Sequence, residues 1–236
     1  MSRFATRSQE PELMDDLNCS GEVVHQTLRE LEFINTWLGG NDVTIAGINT
    51  LLGNVKIDSQ IKIADLGCGS GEMLRIIAKH LQKRKMNASY IGIDANPHII
   101  EYARQHAGRN SNIHFQTANI LSEGFQSQRF GIVLATLFLH HFSTEQLIPV
   151  FRSLHKQASV GIVVNDLHRH PFAFHFIRLF TQLFSKSSMV KYDAPLSVLR
   201  GFRKKELAEI LKKAGISNYS LKWKWAFRWQ VVIFSQ

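Results

Sequence analysis

The chain has 236 residues, with 28 Lys+Arg against 19 Asp+Glu and a net charge of +9. Hydrophobic residues make up 44% and charged residues 20%, an ordinary globular balance that excludes a disordered chain. No window approaches the roughly 18 uninterrupted apolar residues of a membrane span. Two cysteines, Cys19 and Cys68, exclude a disulfide framework, and no Cys/His spacing resembles a zinc site, so no metal is expected. The N-terminus has Arg3, Thr6, Arg7 and Ser8 but lacks the apolar core of a secretory signal, and acids from Glu10 onward argue against a transit peptide. These features read as a cytoplasmic protein in a reducing compartment. The basic excess is spread along the chain, with modest clusters at 75–85 and 200–205. It fits a solvated surface better than a nucleic-acid groove, which stays open as a secondary partner.

Residues 1–54 read as a helical cap. Val24, Leu28, Leu31, Ile34 and Leu38 recur at helical spacing, and Gly39-Gly40 ends that helix in the left-handed manner. Asp42 is expected to cap a second helix that stops at Gly53. From 55 to 236 the pattern becomes alternating. Residues 61–66 are a short strand, 72–83 an amphipathic helix, and 89–93 a strand closing at Asp94. Asn96-Pro97 opens the next helix, with Pro97 in the first turn, where a missing N–H costs nothing. Strands follow at 112–117, 130–135 and 160–164, with a capping box at Ser143 and Gln146 before the intervening helix. Strand and helix alternating five times imply a parallel sheet covered on both faces. An apolar helix at 171–186, inside an insertion running to about 200, holds five of the 16 Phe. A helix at 204–214 ends at Gly215, and alternating apolar residues over 219–233 predict a hairpin.

The most informative stretch is Asp65-Leu66-Gly67-Cys68-Gly69-Ser70-Gly71, where the first strand meets the first alternating helix. That junction is the ligand-binding edge of open α/β folds. A dinucleotide fingerprint is G-x-G-x-x-G, whereas the glycines here give G-x-G-x-G with an acid two residues ahead. Asp65 would serve an ammonium group better than a pyrophosphate. Asp94, 23 residues after Gly71, can accept hydrogen bonds from both ribose hydroxyls. The glycine turn alone, or Asp94 alone, has an ordinary structural explanation. Together they describe a ligand with a ribose, a cation and no phosphate, and S-adenosylmethionine fits that description.

On these residues the chain resembles the class I S-adenosylmethionine-dependent methyltransferases, in particular the small-molecule branch that includes ubiquinone and menaquinone biosynthesis enzymes. The resemblance implies a Rossmann-like, doubly wound α/β fold: a seven-stranded, mostly parallel sheet with an antiparallel C-terminal strand. It implies a methyltransferase domain over 55–236 that uses S-adenosylmethionine and releases S-adenosylhomocysteine. The cofactor-binding residues implied are Asp65, Gly67, Cys68, Gly69, Gly71, Asp94, Ala95, Asn119, Ile120 and Ala135. Asn119 stands where the family usually has an acid for the adenine amino group. Phe130-Gly131 stands where the family often has Phe-Asp.

Methyl transfer from a sulfonium is an in-line displacement that needs an aligned acceptor and, for a hydroxyl, a base. His140 and His141 follow the fourth strand, and His168 follows the fifth, so all three are candidate bases, with Asp166 able to orient one of them. The Phe-rich insertion reads both as packing against the N-terminal helices and as a lid over a lipophilic or aromatic acceptor. Arg178 and Arg200 are candidates for an anionic group on that acceptor. O-methylation of a small molecule is the expected reaction. An RNA methyltransferase, suggested by the charge, and a non-catalytic binder of the cofactor are the rival readings.

Overall fold

Seven strands form one sheet in the order β3-β2-β1-β4-β5-β7-β6. They are β1 (Ile61–Leu66), β2 (Ala88–Asp94), β3 (Ile113–Thr117), β4 (Phe130–Thr136), β5 (Ala158–Leu167), β6 (Tyr219–Lys224) and β7 (Arg228–Phe234). The computed structural model describes residues 3–53, 60–108 and 112–235. The helices are α1 (Glu22–Trp37), α2 (Gly40–Leu52), α3 (Glu72–Lys83), α4 (Pro97–His106), α5 (Glu123–Gln126), α6 (Thr144–Gln157), α7 (Pro171–Phe184), α8 (Ser188–Arg200) and α9 (Lys204–Lys213). Strands β1 to β5 are parallel, and β7 runs antiparallel to both β5 and β6. Strand order reverses between β1 and β4, so the crevice outside their carboxyl ends is the expected ligand site.

The central strands are apolar on both faces because both faces are covered. One core packs Leu147 and Phe151 of α6 and Leu207 and Leu211 of α9 against Ala64, Val133 and Ile162. The other packs Ile48 and Leu51 of α2 and Leu74 and Ile77 of α3 against Ile63, Ile132 and Val163. Gly131, the departure at the start of β4, has a structural cause. A Cβ there would stand 2.4 Å from Ile61 Cγ1.

Several expectations need correction. Gly39, at φ +67, ends α1 in the left-handed manner expected, but α2 begins at once at Gly40, so Asp42 lies in the first turn of α2 and does not cap it. Of the N-terminal elements, α1 and the segment before it lie over the sheet edge. Helix α2 is a layer helix whose Ile48 and Leu51 share the sheet core. The expected division at 54/55 falls outside the described residues. Strand β5 runs on to Leu167, which places Asn165 and Asp166 inside the sheet. The insertion holds a second helix, α8, which the sequence pattern hid: its buried residues surround the axis and Pro195 sits in its interior. The β6–β7 hairpin turns through Ala226 and Phe227, both at positive φ (58° and 55°), without a glycine or asparagine signal.

Candidate functional site

Leu66 leads directly into the glycine turn. Gly67, Gly69 and Gly71 all have positive φ (62°, 52° and 76°), which explains the G-x-G-x-G spacing. Close approach matters too: a Cβ at Gly67 would lie 2.1 Å from Phe138 Cδ2, and one at Gly71 would lie 2.6 Å from Phe115 Cζ. The Cys68 N–H donates to Ile93 O at 3.1 Å and the Gly69 N–H to Asp94 Oδ2 at 3.3 Å, so the turn is tied to the end of β2. The Asn96 N–H donates to Asp94 Oδ1 at 3.0 Å. Arg75 donates to Ser70 O and Glu32, so the guanidinium beside the turn is engaged by protein groups.

This turn borders a cavity of about 780 Å³ that runs along the carboxyl ends of the strands under α1, α7 and α8. Asp65 lines it, is only 2% exposed, and its carboxyl receives no side-chain or backbone hydrogen bond from the described residues. Burial, with the charge of Asp94 adding to it, pushes Asp65 up to about 8. Asp94 is raised as well, by burial, against the backbone N–H groups of Asn96 and Gly69. Cys68 also lines the cavity, and burial raises its thiol well above its ordinary value. Ala95, Asn119 and Ile120 line the same cavity. The Asn119 Oδ1 already accepts from the Leu121 N–H at 2.9 Å, leaving one lone pair for another donor. Ala135 is displaced from the expected role. It is fully buried in the core, and Thr136, Leu137 and Phe138 line the cavity instead. Leu137 holds φ +52, with its N–H donated to Asn165 O at 2.8 Å.

The histidines separate into two environments. His140 Nδ1 lies 2.7 Å from Asp166 Oδ1, and the His140 backbone N–H donates to Asp166 Oδ2 at 3.2 Å. Burial would raise Asp166, but the charge and hydrogen bond of His140 and the Leu167 N–H win and hold it below its ordinary value. An ionised Asp166 can only accept, so Nδ1 of His140 donates to it and Nε2 is the ring nitrogen turned towards Glu12. His141 repeats the pattern, with Nδ1 2.6 Å from Asp15 Oδ1. Both rings line the cavity. His168 does not. It turns to the hairpin, where Nδ1 accepts from Trp223 Nε1 at 3.3 Å. Burial, then the charges of His170, Arg169 and Arg203, push His168 down to about 4.

The segment before α1 supplies a residue the sequence did not flag. Glu12 is buried in the cavity wall between the two histidines, with Oε1 3.6 Å from His140 Nε2 and Oε2 4.0 Å from His141 Nε2. Burial, opposed by His141, Ser197 and Arg200, raises Glu12 to about 7. The same segment is stitched down by Arg7, which donates to Arg200 O, His140 O and Phe142 O. Asp193 takes the N–H groups of Leu13 and Met14. No short-range motif marks Glu12, since it meets His140 across more than 120 residues of chain. Glu12, His140 and His141 are the three donors among the described residues that could hold a metal. Arg200 Nε stands 3.8 Å from Glu12 Oε1, so the cluster already has a cation against it. Arg200 is therefore a buried strut, donating to Asp15 and to the carbonyls of Glu10, His140 and His141, and is not free for an acceptor's anion. Arg178 is exposed on α7.

The insertion forms a packed helix pair, one side of which lines the cavity. Ala173 and Ile177 of α7 pack on Val198 and Leu199 of α8 and face the cavity, while Phe172 is 74% exposed on the outer face.

Residues 63–161 match the family model of a methyltransferase domain. The matched span runs from β1 into β5 and includes the glycine turn and Asp94. A phosphoethanolamine N-methyltransferase of Plasmodium falciparum is 23% identical over 140 residues, 58% of this chain and 50% of that protein. The chain thus spans about half the length of the curated relative it matches. Among solved structures, human N-acetylserotonin methyltransferase in complex with SAM superposes with a TM-score of 0.66 at 16% identity, covering 97% of this chain and 60% of that one. A plantazolicin methyltransferase in complex with SAH gives 0.65 at 16% identity, covering 90% and 89%. At these identities the structural likeness speaks for the fold. No helix among the described residues is long and apolar enough to cross a membrane.

Proposed function

We propose that the cavity binds S-adenosylmethionine and an oxygen acceptor side by side, and that the chain is a small-molecule O-methyltransferase of the cytoplasm. The observation that carries this reading is Asp65. A buried, unpaired carboxyl group two residues before the glycine turn is costly to ionise on its own and suits a ligand ammonium. Asp94 stands ready for the ribose hydroxyls. Ala95, Ile120 and Asn119 frame the adenine, and Gly67 and Gly69 let the ligand meet backbone instead of Cβ atoms, while Gly71 turns the chain into α3 against Phe115. When bound, the sulfonium supplies an already activated methyl group.

The chain's own task is then alignment and proton removal. Thr136, Leu137 and Phe138 form the wall between the two ligands. His140 takes the acceptor's proton at Nε2, because Asp166 holds the opposite nitrogen as a donor. Glu12 and Asp166 then flank the imidazolium with negative charge, which favours the transition state. His141 orients Glu12 and closes the rim. The wall from α7 and α8 is apolar, which suits a lipophilic or aromatic acceptor and disfavours a polyanion such as RNA.

Calorimetry with S-adenosylhomocysteine, followed by its formation from S-adenosylmethionine across phenolic and lipophilic hydroxyl acceptors, tests the reading. One-to-one binding and turnover with at least one such acceptor are expected. No cofactor binding would overturn it, and binding without turnover on any acceptor would turn the chain into a non-catalytic cofactor protein.

A further inference from the structure

Arg228, the first residue of β7, is 2% exposed and lines the cavity. Its guanidinium makes no hydrogen bond to the described residues, and Nε and Nη1 are buried without a partner. No carboxylate of the described residues forms an ion pair with it, and Asp166, already bonded to His140 and to the Leu167 N–H, acts on it only through space. Burial lowers Arg228 to about 10, so it keeps its charge at neutral pH. An arginine buried without a counter-ion is rare, because desolvation costs several kcal/mol per ion. Two acceptor atoms nearby are also orphaned: Asn35 Oδ1, and Asn165 Oδ1 on β5. Gly40 marks how tightly the group is housed. A Cβ there would stand 2.0 Å from Asn35 Oδ1 and 2.7 Å from Arg228 Nη2.

The location assigns the ligand. Leu167 of β5 pairs with Arg228, and β7 lies three strand steps from β1. At about 4.8 Å per step the two strands lie roughly 14 Å apart, which sets Arg228 at the hairpin end of the cavity, beside Phe227 and away from the strand of Asp65. The group that Arg228 awaits belongs to the acceptor. Guanidinium presents a planar fork of donors, which suits a planar, delocalised oxyanion. The wall between it and the lid is apolar, including Ile34, Leu38 and Ile177.

We propose that Arg228 is the specificity-determining residue for the acceptor and binds a carboxylate, or an equally acidic enolate, on a molecule whose remainder is apolar. This deepens the methyltransferase reading and rests on its placement of the two ligands. Arg228 has no part in proton transfer, which stays with His140.

The test compares dodecanoate with dodecanol, which differ only in the anionic head, by calorimetry on wild-type chain and on Arg228→Gln and Arg228→Lys. The wild type should bind dodecanoate at least tenfold more tightly than dodecanol. Arg228→Gln should erase that preference while leaving S-adenosylhomocysteine affinity within about threefold, and Arg228→Lys should keep part of it. Thermal melting separates a packing role from a binding role: removing an unpaired buried charge should leave the melting temperature unchanged or raised. Equal binding of the two probes by the wild type, a preference that survives Arg228→Gln, or a lowered melting temperature in that variant would overturn the proposal. Loss of cofactor binding in the wild type would instead refute the methyltransferase reading, and the two-probe comparison can be read without cofactor.

Discussion

Asp65→Asn is predicted to stabilise the free chain while crippling its ligand binding. The folded carboxyl titrates near 8, and its ordinary value is 3.8. Folding therefore takes up a proton between about pH 4 and pH 8. A folded value raised above the unfolded one means stability is fully present below pH 4 and is lost as pH rises towards 8. The slope is about 1.4 kcal/mol per pH unit, so on the order of 4 kcal/mol is lost by pH 7. Asparagine removes that cost but leaves a buried amide unpaired, worth about 1–3 kcal/mol in the other direction. The net gain is on the order of 1–3 kcal/mol, or roughly 2–10 °C in melting temperature for a chain of this size at pH 7. Near pH 4 the gain should vanish. Ligand binding has the matching signature. A carboxyl with a value of about 8 is roughly 90% protonated at pH 7, and an ammonium needs the ionised form. S-adenosylhomocysteine should thus release close to one proton, read by calorimetry in buffers of different ionisation enthalpy. Methylthioadenosine, which lacks the ammonium, should release none. The variant should bind S-adenosylhomocysteine about 30–100-fold more weakly, as loss of a charge-assisted hydrogen bond implies. A lowered melting temperature at pH 7, or unchanged affinity with no proton release, would refute the reasoning.

Three further outcomes are expected. Asp94→Ala should weaken S-adenosylhomocysteine by about 10–100-fold in calorimetry, because the ribose loses its acceptor and the Gly69 N–H loses its tether. His140→Ala should cut turnover by about 100–10,000-fold with cofactor affinity within about threefold, whereas His168→Ala, behind the cavity wall and held neutral by its surroundings, should leave turnover nearly unchanged. Gly67→Ala should lower the melting temperature measurably and weaken cofactor binding, since the new methyl meets the Phe138 ring and the residue needs φ +62.

The strand-and-helix order of this chain is written in local patterns, which is why β1, α3 and the start of α4 fall where spacing and capping residues put them. The glycine turn and Asp94 were legible for the same reason, being short-range signals with one geometric solution. Hairpin β6–β7 was legible by alternation, but its turn was not, since Ala226 and Phe227 take a backbone that their side chains do not advertise. Helix α8 lacks a single apolar stripe because it is buried on several sides, by α7, α1 and the segment before α1. The acceptor end of the cavity was the least legible part. Glu12, Arg200 and Arg228 reach it from distant stretches, and their roles depend on burial and partners that only tertiary contacts create. The sequence offered Arg200 for an anion, and the fold instead engages Arg200 in struts while leaving Arg228 unpaired.

A crystal structure with S-adenosylhomocysteine tests the central claim most directly. The ligand's amino group should lie within hydrogen-bond distance of Asp65, with both ribose hydroxyls on Asp94 and the sulfur facing Phe138 and His140. A nucleoside seated elsewhere, or a ligand whose phosphates occupy the glycine turn, would contradict the account.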